Sequence, residues 1–179
     1  MTLSFDTLLH APMIQGNAFY IITDHAFDFR LEEQERRRIG NKVTTSFVID
    51  TLQMEVAVDS SQSLYIWGYS PMGKWKKAVL TPPNASYGAL VARHTLSLIP
   101  GVAVGLEDMV LPNALFDPDA GWFCMGSKNL PTDSVAVEFA TGCIAVLVNG
   151  AIFSLWVKPE NSLEVAEYFL MQQKRHDEN

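Results

Sequence analysis

Charge is what this sequence has least of. Charged residues fill 18% of its 179 positions, against roughly 25% in an average chain. A disordered chain combines low hydrophobicity with high charge, and an apolar content of 48% excludes that class. Bases are the scarcer sign, with 13 Lys and Arg against 20 Asp and Glu and a net charge of −7. A general nucleic-acid binder needs a basic surface, so no nucleic-acid partner is expected. The two cysteines, Cys124 and Cys143, lack C-x-x-C spacing. They are too few for a disulfide framework and read as reduced, buried thiols. No run reaches the ~18 apolar residues of a membrane span. The most hydrophobic stretch, Cys143 to Val157, is cut by Asn149-Gly150. The opening residues lack a basic region, and Asp6 and His10 interrupt them, so no secretory signal is read there. A cytoplasmic, acidic protein without membrane association is the expectation.

Local catalytic signatures are missing too. The sequence holds no G-x-S-x-G, H-E-x-x-H, G-x-x-x-x-G-K-[ST] or strand-following G-x-G-x-x-G. That lowers the prospect of an enzyme without removing it, because many active sites are dispersed.

What is present is a run of strand patterns. A length of 179 residues fits a single globular domain, 1–179. Ser4 is placed to cap a short helix through His10, before Pro12. Ala18 to Thr23 is a β-type run. Arg30 to Ile39 reads as a solvated helix with acid-first pairs Glu32–Arg36 and Glu33–Arg37, stopped at Gly40. From Lys42 the period becomes two. Val43–Asp50, Gln53–Val58, Ser63–Tyr69, Lys76–Leu80, Gly88–Ile99, Val102–Leu106, Trp122–Met125 and Asp133–Ala140 are strand candidates. Asn149-Gly150 is the preferred two-residue type I′ turn and predicts a hairpin from Cys143 to Val157. Its register would set Val148 against Ala151, Val146 against Phe153 and Ile144 against Leu155. Both hairpin faces are apolar, so each needs a cover, either this chain or a second copy. Asn161 caps a last helix, with Glu164 at the capping-box position. The fold class expected is α+β, mainly antiparallel β in a sandwich or barrel-like sheet, with short flanking helices including one at the C-terminus.

Few side chains stand out as functional. Asp24-His25-Ala26-Phe27-Asp28 reads as a strand-end turn with solvated acids. Asp117-Pro118-Asp119-Ala120-Gly121 starts like a calcium loop but lacks its later ligands, so it reads as a turn and no metal is expected. His94 falls on an apolar strand face, which suits a satisfied core imidazole better than a general base. Tyr65 to Lys77 carries four large aromatics and three lysines, chemistry suited to stacking and cation–π contact. A four-residue turn before it buries Tyr65 and Trp67 in the core, the favoured register. A five-residue turn sets them outward with Gln53 and Glu55. Tyr69, Trp75, Lys74, Lys76 and Lys77 fall at or near the following loop in either case. The binding residues expected are thus Tyr69, Lys74, Trp75, Lys76, Lys77 and His94.

The leading functional reading is a non-catalytic binding or regulatory module without cofactor. It is expected to self-associate as a homodimer or larger homo-oligomer, with a protein or small molecule as possible partner. The competing readings are a small-molecule enzyme built on His94 with Asp117, Asp119 or Asp24, and a barrel-like carrier of an apolar ligand. The charge deficit is local. Eight of the thirteen bases lie between Arg30 and Lys77, and only Arg93 and Lys128 between Ala78 and Val157.

Overall fold

A computed structural model describes residues 3–106 and 109–177. Its strands are β1 (Ser4–Leu9), β2 (Gly16–Ile21), β3 (Ala26–Leu31), β4 (Thr44–Ile49), β5 (Leu52–Ala57), β6 (Gln62–Tyr69) and β7 (Lys76–Lys77). They continue with β8 (Ser86–Arg93), β9 (Val104–Gly105), β10 (Ala114–Asp117), β11 (Trp122–Gly126), β12 (Val135–Ala140), β13 (Cys143–Val148) and β14 (Ala151–Val157). Helix α1 covers Glu33–Ile39 and helix α2 covers Ser162–Asp177. The fold is mostly sheet, 46% strand, curled into a half-barrel with a C-terminal helix.

The sheet runs β7-β10-β11-β14-β13-β12-β8-β6-β5-β4-β9, with β1 on β8 and the β2–β3 hairpin on β6. It is mixed, which corrects the expectation of a mainly antiparallel sheet. Short meanders pair antiparallel, but β7–β10, β8–β12 and β4–β9 pair parallel. Each parallel contact joins segments far apart in sequence, and parallel neighbours need long crossovers that local periodicity does not reveal.

Phe27, Trp75, Phe116, Phe123 and Phe169 fill the space inside the curl, with ring centroids 4.9 to 6.3 Å apart. Phe169, Val165 and Ala166 dock α2 onto this core. Asn161 holds the start of α2 by pairing with β2 as a neighbouring strand would. Its side chain accepts from Tyr20 N–H at 3.0 Å and donates to Tyr20 C=O at 2.9 Å and to Glu164 at 3.1 Å. The expected capping box is replaced by this tie to β2.

The Asn149-Gly150 hairpin forms, and Asn149 has φ 50° and Gly150 φ 76°, as a type I′ turn requires. Val148 faces Ala151 as expected, but the ladder then shifts by one, pairing Val146 with Ser154 and Ile144 with Trp156. Phe153 is the extra residue of this bulge. Cys143, Ala145, Leu147, Leu155 and Val157 join the main core. Ile144, Val146 and Trp156 form a second apolar cluster with Leu80 and Cys124. Ala78, Ala85, Trp122 and Leu130 pack around that cluster, so the hairpin's second face is covered within the chain.

Two local expectations are corrected. Ser4–Leu9 is a strand, because pairing with Gly88–Arg93 across the fold outweighs its short-range helix pattern. Arg30 and Leu31 belong to β3, and the helix begins only at Glu33. There Glu33 pairs with Arg37, as expected, and Glu35 with Arg38.

Candidate functional site

The expected site residues do not converge. Tyr69 ends β6 and is 52% exposed, while the Trp75 ring is 3% exposed and belongs to the core. Trp75 does lie at the loop, but its ring packs on Tyr20 at 4.6 Å and its indole N–H donates to Ser70 Oγ at 3.0 Å. It anchors the loop and offers no surface to a ligand. Lys74 is exposed on a single 3₁₀ turn, Met72–Lys74. Lys76 and Lys77 are the whole of β7, the edge strand beside β10. Short edges carrying lysine resist pairing with foreign strands, so these two cations guard an edge.

The aromatics of β6 settle in the less favoured arrangement. Glu55 pairs with Tyr65 and Gln53 with Trp67, with a bulge before Tyr65. Tyr65 and Trp67 are therefore half-buried on the polar side, a correction to their core placement. Trp67 donates its indole N–H to Glu55 at 3.0 Å, and Tyr65 stacks on Phe29 at 5.0 Å. Burial pushes the Tyr65 phenol up to about 12, with the Glu55 and Asp28 carboxylates adding to the shift.

His94 follows β8, and both its ring nitrogens are engaged. Nε2 lies 2.9 Å from Ser61 Oγ, and Nδ1 lies 3.2 Å from the Leu96 backbone N–H, which donates to it. Asp117 is buried and serves structure. Its carboxylate accepts from the backbone N–H groups of Leu80 at 2.7 Å, Asp119 at 2.9 Å and Ala120 at 3.0 Å. Burial pushes this carboxyl up, but those three hydrogen bonds and nearby Lys77 outweigh it and hold it below the usual range. The turn expected at Asp117–Gly121 is present, as is the strand-end turn at His25, which has φ 51°. No group of three or more His, Cys, Asp or Glu among the described residues is arranged to hold a metal.

A different constellation forms a cleft of about 480 Å³ at the base of the hairpin. Its walls come from Pro82–Ala85, Trp122, Glu138, Thr141–Gly142, the Lys158–Glu160 segment and Asn17 on β2. Antiparallel pairing sets Phe123 against Val157. Trp122 begins β11 and Lys158 directly follows β14, so the register makes them neighbours. The Lys158 ammonium sits 5.8 Å from the centre of the Trp122 ring. Gly142 (φ 69°) brings its backbone against Lys158, whose N–H donates to Gly142 C=O at 2.9 Å. A Cβ at Gly142 would stand 2.9 Å from the Lys158 oxygen, so only glycine fits. Glu138 accepts from Gly142 N–H at 2.8 Å, and Glu160 donates its backbone N–H to Ala18 C=O at 2.7 Å. The cleft thus has an exposed cation beside an aromatic face, a held carboxylate and proline walls.

Sequence reasoning missed this site. Trp122 and Lys158 are ordinary residues at strand ends, and the one signal available was their placement beside two strands that pair. No family model matches the chain, and comparison with curated proteins finds no match. Among the described residues no helix is long and apolar enough to cross a membrane.

Proposed function

We propose that the protein is a single-domain, non-catalytic binding module, and that its ligand occupies the Trp122–Lys158 cleft. The observation that carries this reading is the convergence there of an aromatic face, a cation and two carboxylates. A volume of about 480 Å³ falls in the range that takes a small organic ligand. Lys158 matches a ligand carboxylate, Glu160 matches an amine, and Trp122 with Pro82 and Pro83 takes an apolar body between them. The class proposed is a small amphoteric molecule such as an amino acid or dipeptide. Two unpaired thiols, both buried, agree with a reducing compartment, and the cytoplasm is the location proposed. The hairpin's second face, where self-association was expected, is covered within the chain, so no interface is placed there.

Saturation-transfer NMR with free amino acids and dipeptides tests the reading. Binding should appear within the panel, weaken in Lys158→Ala and fall by about tenfold or more in Trp122→Ala, as for a central aromatic contact. A panel without a binder, or binding indifferent to both substitutions, would refute it.

A further inference from the structure

The outer edge of β1 is open in a way that the opposite end of the sheet is not. In the β1–β8 ladder Phe5 faces Ala92. The Ala92 N–H donates away from β1, to Ser61 C=O at 2.9 Å, and the Phe5 N–H donates outward, to Gly150 C=O at 2.7 Å. Backbone groups alternate along a strand. Thr7 and Leu9 therefore share the outward direction of Phe5. Neither has a backbone partner on that side among the described residues.

This edge borders a groove of about 660 Å³ lined by Ser4–Leu8, Asp133, Val135, Leu147 and the hairpin tip Asn149-Gly150. The edge at β7 is two residues long and all lysine. β1 has six residues, no lysine and no proline, and Leu8 and Leu9 beside it are 52% and 46% exposed. Val135, across the groove, is 45% exposed. An unguarded edge with free hydrogen-bonding groups and apolar flanks is the arrangement that accepts an added strand.

The geometry points to a second binding surface, in which the β1 edge takes up an extended segment of a partner protein rich in basic residues. The charge follows from the lining. Asp6 is engaged by Arg93, but Asp133 has no ion-pair partner among the described residues, and the chain carries a net charge of −7. A second copy suits the slot less well. Two β1 strands paired antiparallel about Thr7 would set Leu9 of one against Phe5 of the other, where the hairpin tip already sits, and would join two acidic chains.

Fluorescence anisotropy with two labelled hexapeptides tests this, one alternating Lys and Val, the other Glu and Val. The basic peptide should bind, the acidic one should not, and Asp133→Asn should weaken binding, more so at low salt. Thr7→Pro removes the outward donor without touching the β1–β8 bonds, so it should cost about tenfold or more in affinity, while Thr7→Ala should not. Equal binding of both peptides, or full binding by Thr7→Pro, would overturn the proposal. Should Thr7→Pro fail to fold, hydrogen exchange on the wild type decides. Peptide-dependent protection of the Thr7 and Leu9 amides supports the slot, and its absence refutes it. Sedimentation showing a dimer that Thr7→Pro dissolves would assign the edge to a second copy and overturn the basic-segment assignment.

Discussion

Asp117 shows how a residue with catalytic chemistry can be used up by structure. Its carboxylate ties three backbone N–H groups, and one of these, from Leu80, belongs to the segment that covers the second apolar cluster. Removing the acceptor leaves the buried Leu80 N–H unpaired and loosens the turn at Asp119 and Ala120, so Asp117→Ala should destabilise by about 2–4 kcal/mol. Its pH dependence has a definite sign. The folded-state carboxyl is held below its ordinary value, so its contribution is full above the unfolded value of ~3.9 and fades as pH falls through the folded one. The gap in urea unfolding between wild type and variant should therefore be full at pH 7 and begin to narrow as pH falls below about 4. A gap that stayed constant would remove the carboxylate's charge from the explanation. His94 belongs to the same kind. It lies just past the end of β8, half-buried rather than on the apolar strand face expected of it, and is satisfied there by Ser61 and Leu96.

At the scale of elements, glycines mark where strands bend. Gly126 has φ 107° and pairs with Ser154, next to the bulged Phe153. A Cβ there would stand 2.7 Å from the Phe153 oxygen, so strain and clash act together. Gly73 lies in the loop before Trp75, and a Cβ on it would meet nothing within 4 Å. Gly126→Ala should thus cost about 2–4 kcal/mol and Gly73→Ala within about 0.5. Thermal unfolding compares them, and equal effects would refute the bulge as a strained element. The bulge also explains how far the elements are legible in the sequence. Asn149-Gly150 locates the hairpin because both residues need positive φ, a local requirement. The pairing beyond Leu147 is not legible, because it depends on β11 and on Trp156 packing, which are distant in sequence. Ser4–Leu9 misleads for the same reason, being a strand only by virtue of β8. The turn before β6 admits two registers, and a bulge supplies a third pairing with the side-chain directions of the less favoured one. The cleft at Trp122 and Lys158 depends on strand pairing across 36 positions, beyond any local motif.

At the scale of the molecule, the charge deficit in the second half of the chain has a physical address. β13 and β14 divide two apolar compartments, and each holds one cysteine. Cys143 lies in the main core and Cys124 in the second cluster. Burial pushes both thiols up to about 12, so neither reacts at neutral pH until its compartment opens. The compartments are closed by different means. The main core is enclosed by paired strands and by α2. The second cluster is closed by the Ala78–Ala85 segment through Leu80 and by single side chains such as Trp122 and Leu130. A cover held by few contacts opens at lower free energy than a core closed by paired strands. Cys124 should therefore be alkylated before Cys143 under native conditions, as followed by peptide mass spectrometry. Leu80→Ala, which costs about 2–4 kcal/mol in a buried site, should speed labelling of Cys124 well beyond that of Cys143. If both thiols instead reacted together, and Leu80→Ala accelerated them equally, the two clusters would open as one cooperative unit. The covering segment would then have no independent motion, and the compartments would be a feature of packing alone.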